Sequence, residues 1–122
     1  MRESEIQSEI IKWVQSLEPY YPELALMNAS LNGIQTTAKI KAMMNAQGMK
    51  KGYPDLFLPV SRIINGQLSH GLFIEIKTID GRAKKEQLWW NEQLNKQGYM
   101  AVFCYGLDDV KKIICNYMQI RC

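Results

Sequence analysis

Gly52-Tyr53-Pro54-Asp55 and, further on, Leu72-Phe73-Ile74-Glu75-Ile76-Lys77 set the architecture of this chain. Each belongs to an apolar run. Residues 55–64 are rich in Leu, Phe, Val and Ile, which predicts a strand; residues 67–79 predict a second. Asn65-Gly66 between them is a strong hairpin signal, because both residues tolerate positive φ. Alternation then places Glu75 and Lys77 on one face of the second strand, with Ile74 and Ile76 on the other. A charged pair on an otherwise apolar strand needs compensation, because burying unpaired charge is costly.

Toward the N-terminus, residues 3–17 predict an amphipathic helix with Ile6, Ile10, Trp13, Val14 and Leu17 at helical spacing, stopped by Pro19 and Pro22. Residues 23–29 predict a short strand, and Asn32-Gly33 a turn. Thr36 or Thr37 can cap a helix running to about Gln47, with Gly48 beyond its end. After the hairpin, residues 84–97 predict a helix stopped by Gly98, residues 99–105 a strand, and residues 107–118 a closing helix. The order describes an α/β domain, a mixed β-sheet flanked by helices.

A chain of 122 residues fits one domain over 1–122. The formal charge of +3 allows a polyanionic partner without requiring one. No apolar run is long enough to span a membrane, and no secretory signal opens the chain. Cys104, Cys115 and Cys122 are odd in number and form no CxxC pair, which favours reduced thiols and a cytoplasmic setting over a disulfide framework or a zinc site.

The carboxylates of Asp55 and Glu75 suit a hard cation such as Mg²⁺, which prefers oxygen ligands and keeps several waters. The Ile76 carbonyl can add a neutral oxygen. Such a cation neutralises phosphate charge and acidifies a bound water, and Lys77 can orient that water and support its developing charge. In-line attack on a phosphodiester would follow. Taken singly, Glu-Ile-Lys also reads as solvated alternation and Pro-Asp as a turn.

The four segments Glu3-Ser4-Glu5-Ile6-Gln7, Gly52-Tyr53-Pro54-Asp55, Glu75-Ile76-Lys77 and Gln87 followed by Leu94 and Gly98 resemble, in order, the VRR-NUC family of the PD-(D/E)XK nucleases. The resemblance spans almost the whole chain and implies a restriction-endonuclease-like core. It also implies a DNA endonuclease using Mg²⁺ or Mn²⁺. Small stand-alone members, often from phages, are similar to Holliday-junction resolvases and form homodimers, so branched DNA and a second copy are the implied partners. A binding module of the same fold that has lost catalysis is the alternative.

The family also implies a glutamate on the first helix, for which Glu3, Glu5 and Glu9 are candidates. At about 100° per residue, Glu3, Gln7, Ile10, Val14 and Leu17 share a stripe, whereas Glu5 and Glu9 sit on the solvated side with Lys12. Glu3 is therefore the expected site residue and metal ligand; an early Glu also simply suits a helix N-terminus. Gln87 shares a face with Trp90 and Leu94. It could bond a metal water or a phosphate, or be a satisfied core-edge amide. Lys50, Lys51, Arg82, Lys84 and Lys85 are the expected DNA contacts, with Lys39 and Lys41 nearby in sequence. Trp89 reads as partly buried packing, Met43, Met44 and Met49 as core or dimer packing, and His70 as a loop residue outside the chemistry.

Strand register poses a conflict. A regular two-residue turn at Asn65-Gly66 pairs Ile64 with Gln67 and sets Asp55 opposite Ile76. Asp55 would then face away from Glu75 and Lys77. A one-residue slip restores a common face. The hairpin must therefore hold a longer loop, a bulge or a bend. Pro59 and Gly71 are the candidate places, and a bend at Asp55 itself is another escape.

Overall fold

The computed structural model describes residues 1–32 and 35–122. Its elements are α1 (Glu3–Leu17), a 3₁₀ turn (Pro22–Leu26), β1 (Asn28–Ala29), α2 (Ala38–Ala46), β2 (Leu56–Leu58), β3 (Arg62–Ile64), β4 (Gln67–Ser69), β5 (Leu72–Lys77), α3 (Lys85–Lys96), β6 (Met100–Tyr105) and α4 (Leu107–Met118). Four strands form one sheet in the order β1-β2-β5-β6, while β3 and β4 form a separate ribbon. β2 runs antiparallel to β5 and β6 parallel to it, so the sheet is mixed.

The pleat of β5 divides the core in two. Leu72, Ile74 and Ile76 join Leu56 and Leu58 against Ile6, Ile10 and Val14 of α1 and Val110, Ile114 and Tyr117 of α4. Phe73 takes the other face with Ala101 and Leu94, against Phe57, Trp90 and Tyr99. The Phe57 and Phe73 rings stack at 4.0 Å. Both sheet faces are thus covered, which explains why every residue of β5 is buried and why its sequence is so apolar.

The hairpin removes the register conflict. Asn65 (φ 50°) and Gly66 (φ 79°) form the tight turn, and Ile64↔Gln67 to Arg62↔Ser69 pair as a regular turn requires. Leu58, however, pairs with Leu72, and Leu56 with Ile74. Residues 59–61 therefore face only residues 70–71, one extra residue on the first strand. Pro59 and Gly71 both lie in this irregularity. The backbone groups it frees are satisfied locally: Val60 N–H donates to the Leu58 carbonyl at 2.9 Å, and the buried Tyr117 hydroxyl donates to the Val60 carbonyl at 2.6 Å. The Tyr117 and Ser69 hydroxyl oxygens are 3.1 Å apart. Continued by one pair, the shifted register sets Asp55 opposite Glu75.

Several expectations are corrected. Residues 23–29 are a 3₁₀ turn and a two-residue strand, because Pro22 starts a helical turn at its N-terminus. The two long strands each break at the register shift. α2 is capped by the Thr37 hydroxyl, which accepts from Ile40 N–H at 3.2 Å, but none of its residues is buried. Met43 is exposed, and Met44 and Met49 line a cleft instead of the core. Gly33 of the expected turn lies outside the described residues. Cys115 and Cys122, expected as free thiols, are joined as a disulfide. Gln119 adopts a left-handed conformation after α4, which returns the tail over the last turn and sets the two Cα atoms 6.2 Å apart. Sequence spacing alone does not reveal that reversal. Cys104 stays free and buried, and burial pushes its thiol up to about 12. No helix, among the described residues, is long and apolar enough to cross a membrane.

Candidate active site

The register shift gives the second face of the sheet a polar end. Asp55, Phe57, Phe73, Glu75 and Lys77 follow one another on that face, the aromatic pair below and the charged groups above. Asp55 immediately precedes β2, and its Oδ2 accepts a hydrogen bond from the Ile76 N–H at 2.7 Å. The carboxylate replaces a strand neighbour that β2 no longer supplies. The Ile76 carbonyl leaves β5 on the same side as its N–H, toward Asp55.

Glu75 and Lys77 are 5% and 3% exposed, which makes them rare buried ionisable side chains. Lys77 Nζ lies 4.0 Å from Glu75 Oε2. Gln87 Nε2 donates to the same oxygen at 3.2 Å. The other end of that amide accepts from Lys84 N–H at 2.9 Å, closing the first turn of α3. Gln87 thus ties α3 to Glu75 and satisfies a helix end at once, so both readings of this residue have a structural counterpart.

Burial raises the Asp55 carboxyl above its usual range, with the Ile76 hydrogen bond opposing. Glu75 is pushed up to about 9, first by burial and then by the neighbouring Asp55 charge. Two carboxylates this close do not both ionise without a cation between them. A shared proton is one way to meet that need; a divalent ion is another. The pair, with the Ile76 carbonyl, therefore fits a small hard cation that keeps several waters.

Glu3 lies at the rim of the same cleft, a cavity of about 510 Å³ that also holds Asp55, Glu75, Lys77 and Gln87. Its charge helps to raise Asp55. Among the described residues no three His, Cys, Asp or Glu side chains are grouped as a metal cluster. Glu5 instead accepts from Arg2 at 3.0 Å, and Glu9 pairs with Lys12 at 3.5 Å, both on the exposed side of α1.

The expected basic residues divide. Lys51, Arg82 and Lys84 line the cleft, joined by Lys41 from α2. Lys50 and Lys85 line an adjoining hollow. His70 meets Tyr99 edge-on just before β5, with ring centroids 5.8 Å apart, and does not line the cleft. Trp89, expected to pack, is 55% exposed; it lies about 100° around α3 from the inward-facing Trp90.

The residues that hold the Gly52–Asp55 loop carry no local sequence signal. Trp90 Nε1 donates to the Lys51 carbonyl at 3.1 Å, and Asn32 Nδ2 donates to the Lys50 carbonyl at 2.8 Å. Gly52 has φ +84°, and a Cβ there would lie 2.6 Å from Glu86 Cβ. Only glycine allows the loop this close to α3.

Comparison with known proteins places this architecture in a family. The family model described as VRR-NUC domain matches residues 1–108. A solved structure described as a VRR_NUC domain protein superposes with a TM-score of 0.77 at 28% identity, covering 98% of this chain and 90% of that one. No curated protein matches the chain. With a nuclease-type family model over most of its length and the same architecture in a solved relative, the chain belongs to the VRR-NUC family.

Proposed function

We propose that the protein is a metal-dependent DNA endonuclease that hydrolyses phosphodiester bonds. The observation that carries this reading is the pairing of half-buried Asp55 with buried Glu75, opposite each other across two strands and bordered by Lys77 and Gln87. Asp55, Glu75 and the Ile76 carbonyl would hold Mg²⁺ or Mn²⁺. Glu3, which lines the same cleft, would add a further carboxylate to the set that holds the ion. When bound, the ion neutralises phosphate charge and supplies an acidified water. Lys77, held near Glu75, orients the attacking water and supports its negative charge. Gln87 keeps Glu75 in position and presents the start of α3 to the cleft. Lys51, Arg82 and Lys84 steer the phosphate backbone.

We propose branched or junction DNA as the substrate and a homodimer as the working form, as the resemblance to small stand-alone members of the family implies. The second reading is a DNA-binding module with weak or no catalysis. The intact Asp55, Glu75 and Lys77 favour the enzyme. Two measurements test the choice. Calorimetric Mn²⁺ titration should show binding that Asp55→Asn abolishes. A panel of labelled junction, flap, duplex and single-stranded DNA in Mg²⁺ or Mn²⁺ should show cleavage. Binding of DNA without cleavage of any of them would select the binding module. Neither metal nor DNA binding would refute both.

A further inference from the structure

Beside the cleft lies a feature that the proposed chemistry does not use. Trp89 is 55% exposed, a costly placement for so large an apolar ring. It rests edge-on against Trp90, with centroids 5.2 Å apart and planes at 84°. Trp90 in turn packs on Tyr53 at 4.9 Å and is tied to the Lys51 carbonyl. Trp89 therefore stands on a firm base and offers a ring to solvent.

The surrounding hollow, about 480 Å³, is lined by Lys50, Lys51, Lys85, Glu86, Trp89 and Trp90. Lys51 is engaged with Glu86 at 3.6 Å. Lys50 and Lys85 make no ion pair among the described residues. Lys51 and Glu86 also line the cleft, so the two depressions adjoin across this ion pair.

An aromatic ring among free cations is the arrangement that holds single-stranded nucleic acid: the base stacks and the lysines take the phosphates. A base pair inside a duplex is stacked on both sides and offers no free face to such a ring. We propose that Trp89 stacks an unpaired base of the strand leaving the cleft, so that the preferred DNA carries a splayed or single-stranded segment beside the cleavage point. This rests on the nuclease reading and adds the substrate feature it recognises. The charge of Lys50 and Lys85 and the position beside the cleft favour nucleic acid here over a second copy of the chain.

The test compares binding of a blunt duplex with that of the same duplex bearing a single-stranded overhang, by fluorescence anisotropy in EDTA. The wild-type chain should prefer the overhang. Trp89→Ala should weaken overhang binding about 5- to 150-fold and leave blunt-duplex binding and the melting temperature unchanged. Trp89→Phe, which keeps a stacking ring, should retain the preference. Equal binding of both DNAs by the wild-type chain overturns the proposal while the nuclease reading stands. An equal loss on both DNAs in Trp89→Ala also overturns it. So does a change of oligomeric state in that variant, measured by sedimentation, which would make the hollow a self-interface. No binding of any DNA overturns both readings.

Discussion

Replacing Glu75 by glutamine should stabilise the metal-free protein while removing its activity. Glu75 rises from an ordinary value of 4.5 to about 9 in the folded chain because burial and Asp55 both disfavour its charge. The folded state then holds a proton that the unfolded state releases. Stability is full below the ordinary value and falls as pH rises toward the folded value, since the unfolded chain binds fewer protons throughout that window. At neutral pH the loss is about 3 kcal/mol, taking each unit of separation as roughly 1.4 kcal/mol. Glutamine is nearly isosteric with the protonated acid. It can still accept from Gln87 and donate toward Asp55, and it leaves one net carboxylate for Lys77. Glu75→Gln should therefore resemble the wild-type chain at pH 5 and be more stable at pH 7, with a melting temperature higher by about 10 °C for a domain of this size. Mn²⁺ should stabilise only the wild-type chain, by about 3 kcal/mol at a hundredfold excess over its dissociation constant. The assay is thermal unfolding in EDTA across pH 5 to 9, repeated with Mn²⁺. A wild-type melting temperature that stays flat over this range would contradict the linkage, as would a Glu75→Gln variant less stable at pH 8.

Three further outcomes are expected. Lys77→Met, which keeps the buried volume, should retain Mn²⁺ binding by calorimetry and lose cleavage by at least about a hundredfold, as removal of a charge-stabilising group does; full activity would remove Lys77 from the chemistry. Glu3→Gln should reduce the cleavage rate far more than Glu5→Gln or Glu9→Gln, since only Glu3 lines the cleft; damage from Glu9→Gln instead would invert the assignment. Tyr117→Phe should cost about 1–3 kcal/mol in urea unfolding, because it leaves the buried Val60 carbonyl unpaired. A loss below about half a kilocalorie would show that this hydroxyl does not hold the register shift.

Features under local control are legible in the order of the amino acids. Helical periodicity located α1, α3 and α4. Asn65-Gly66 located the turn, because few other residue pairs tolerate its backbone. Period-two alternation put Glu75 and Lys77 on one face, and the phase of α1 separated Glu3 from Glu5 and Glu9. Even the need for a slip between Asp55 and the turn followed from counting pairs. Features that depend on distant partners emerge only when the chain folds. Folding placed the extra residue at 59–61, where the Tyr117 hydroxyl from α4 could satisfy the carbonyl it freed. It bound the Gly52 loop through Trp90 and Asn32, neither of which carries a local signal. It left α2 without a buried side and Trp89 in solvent, because a helical pattern shows which residues share a face but not whether a partner covers it. And it turned two carboxylates, ordinary in the sequence, into a raised pair, because only the folded chain removes water from both and sets them side by side.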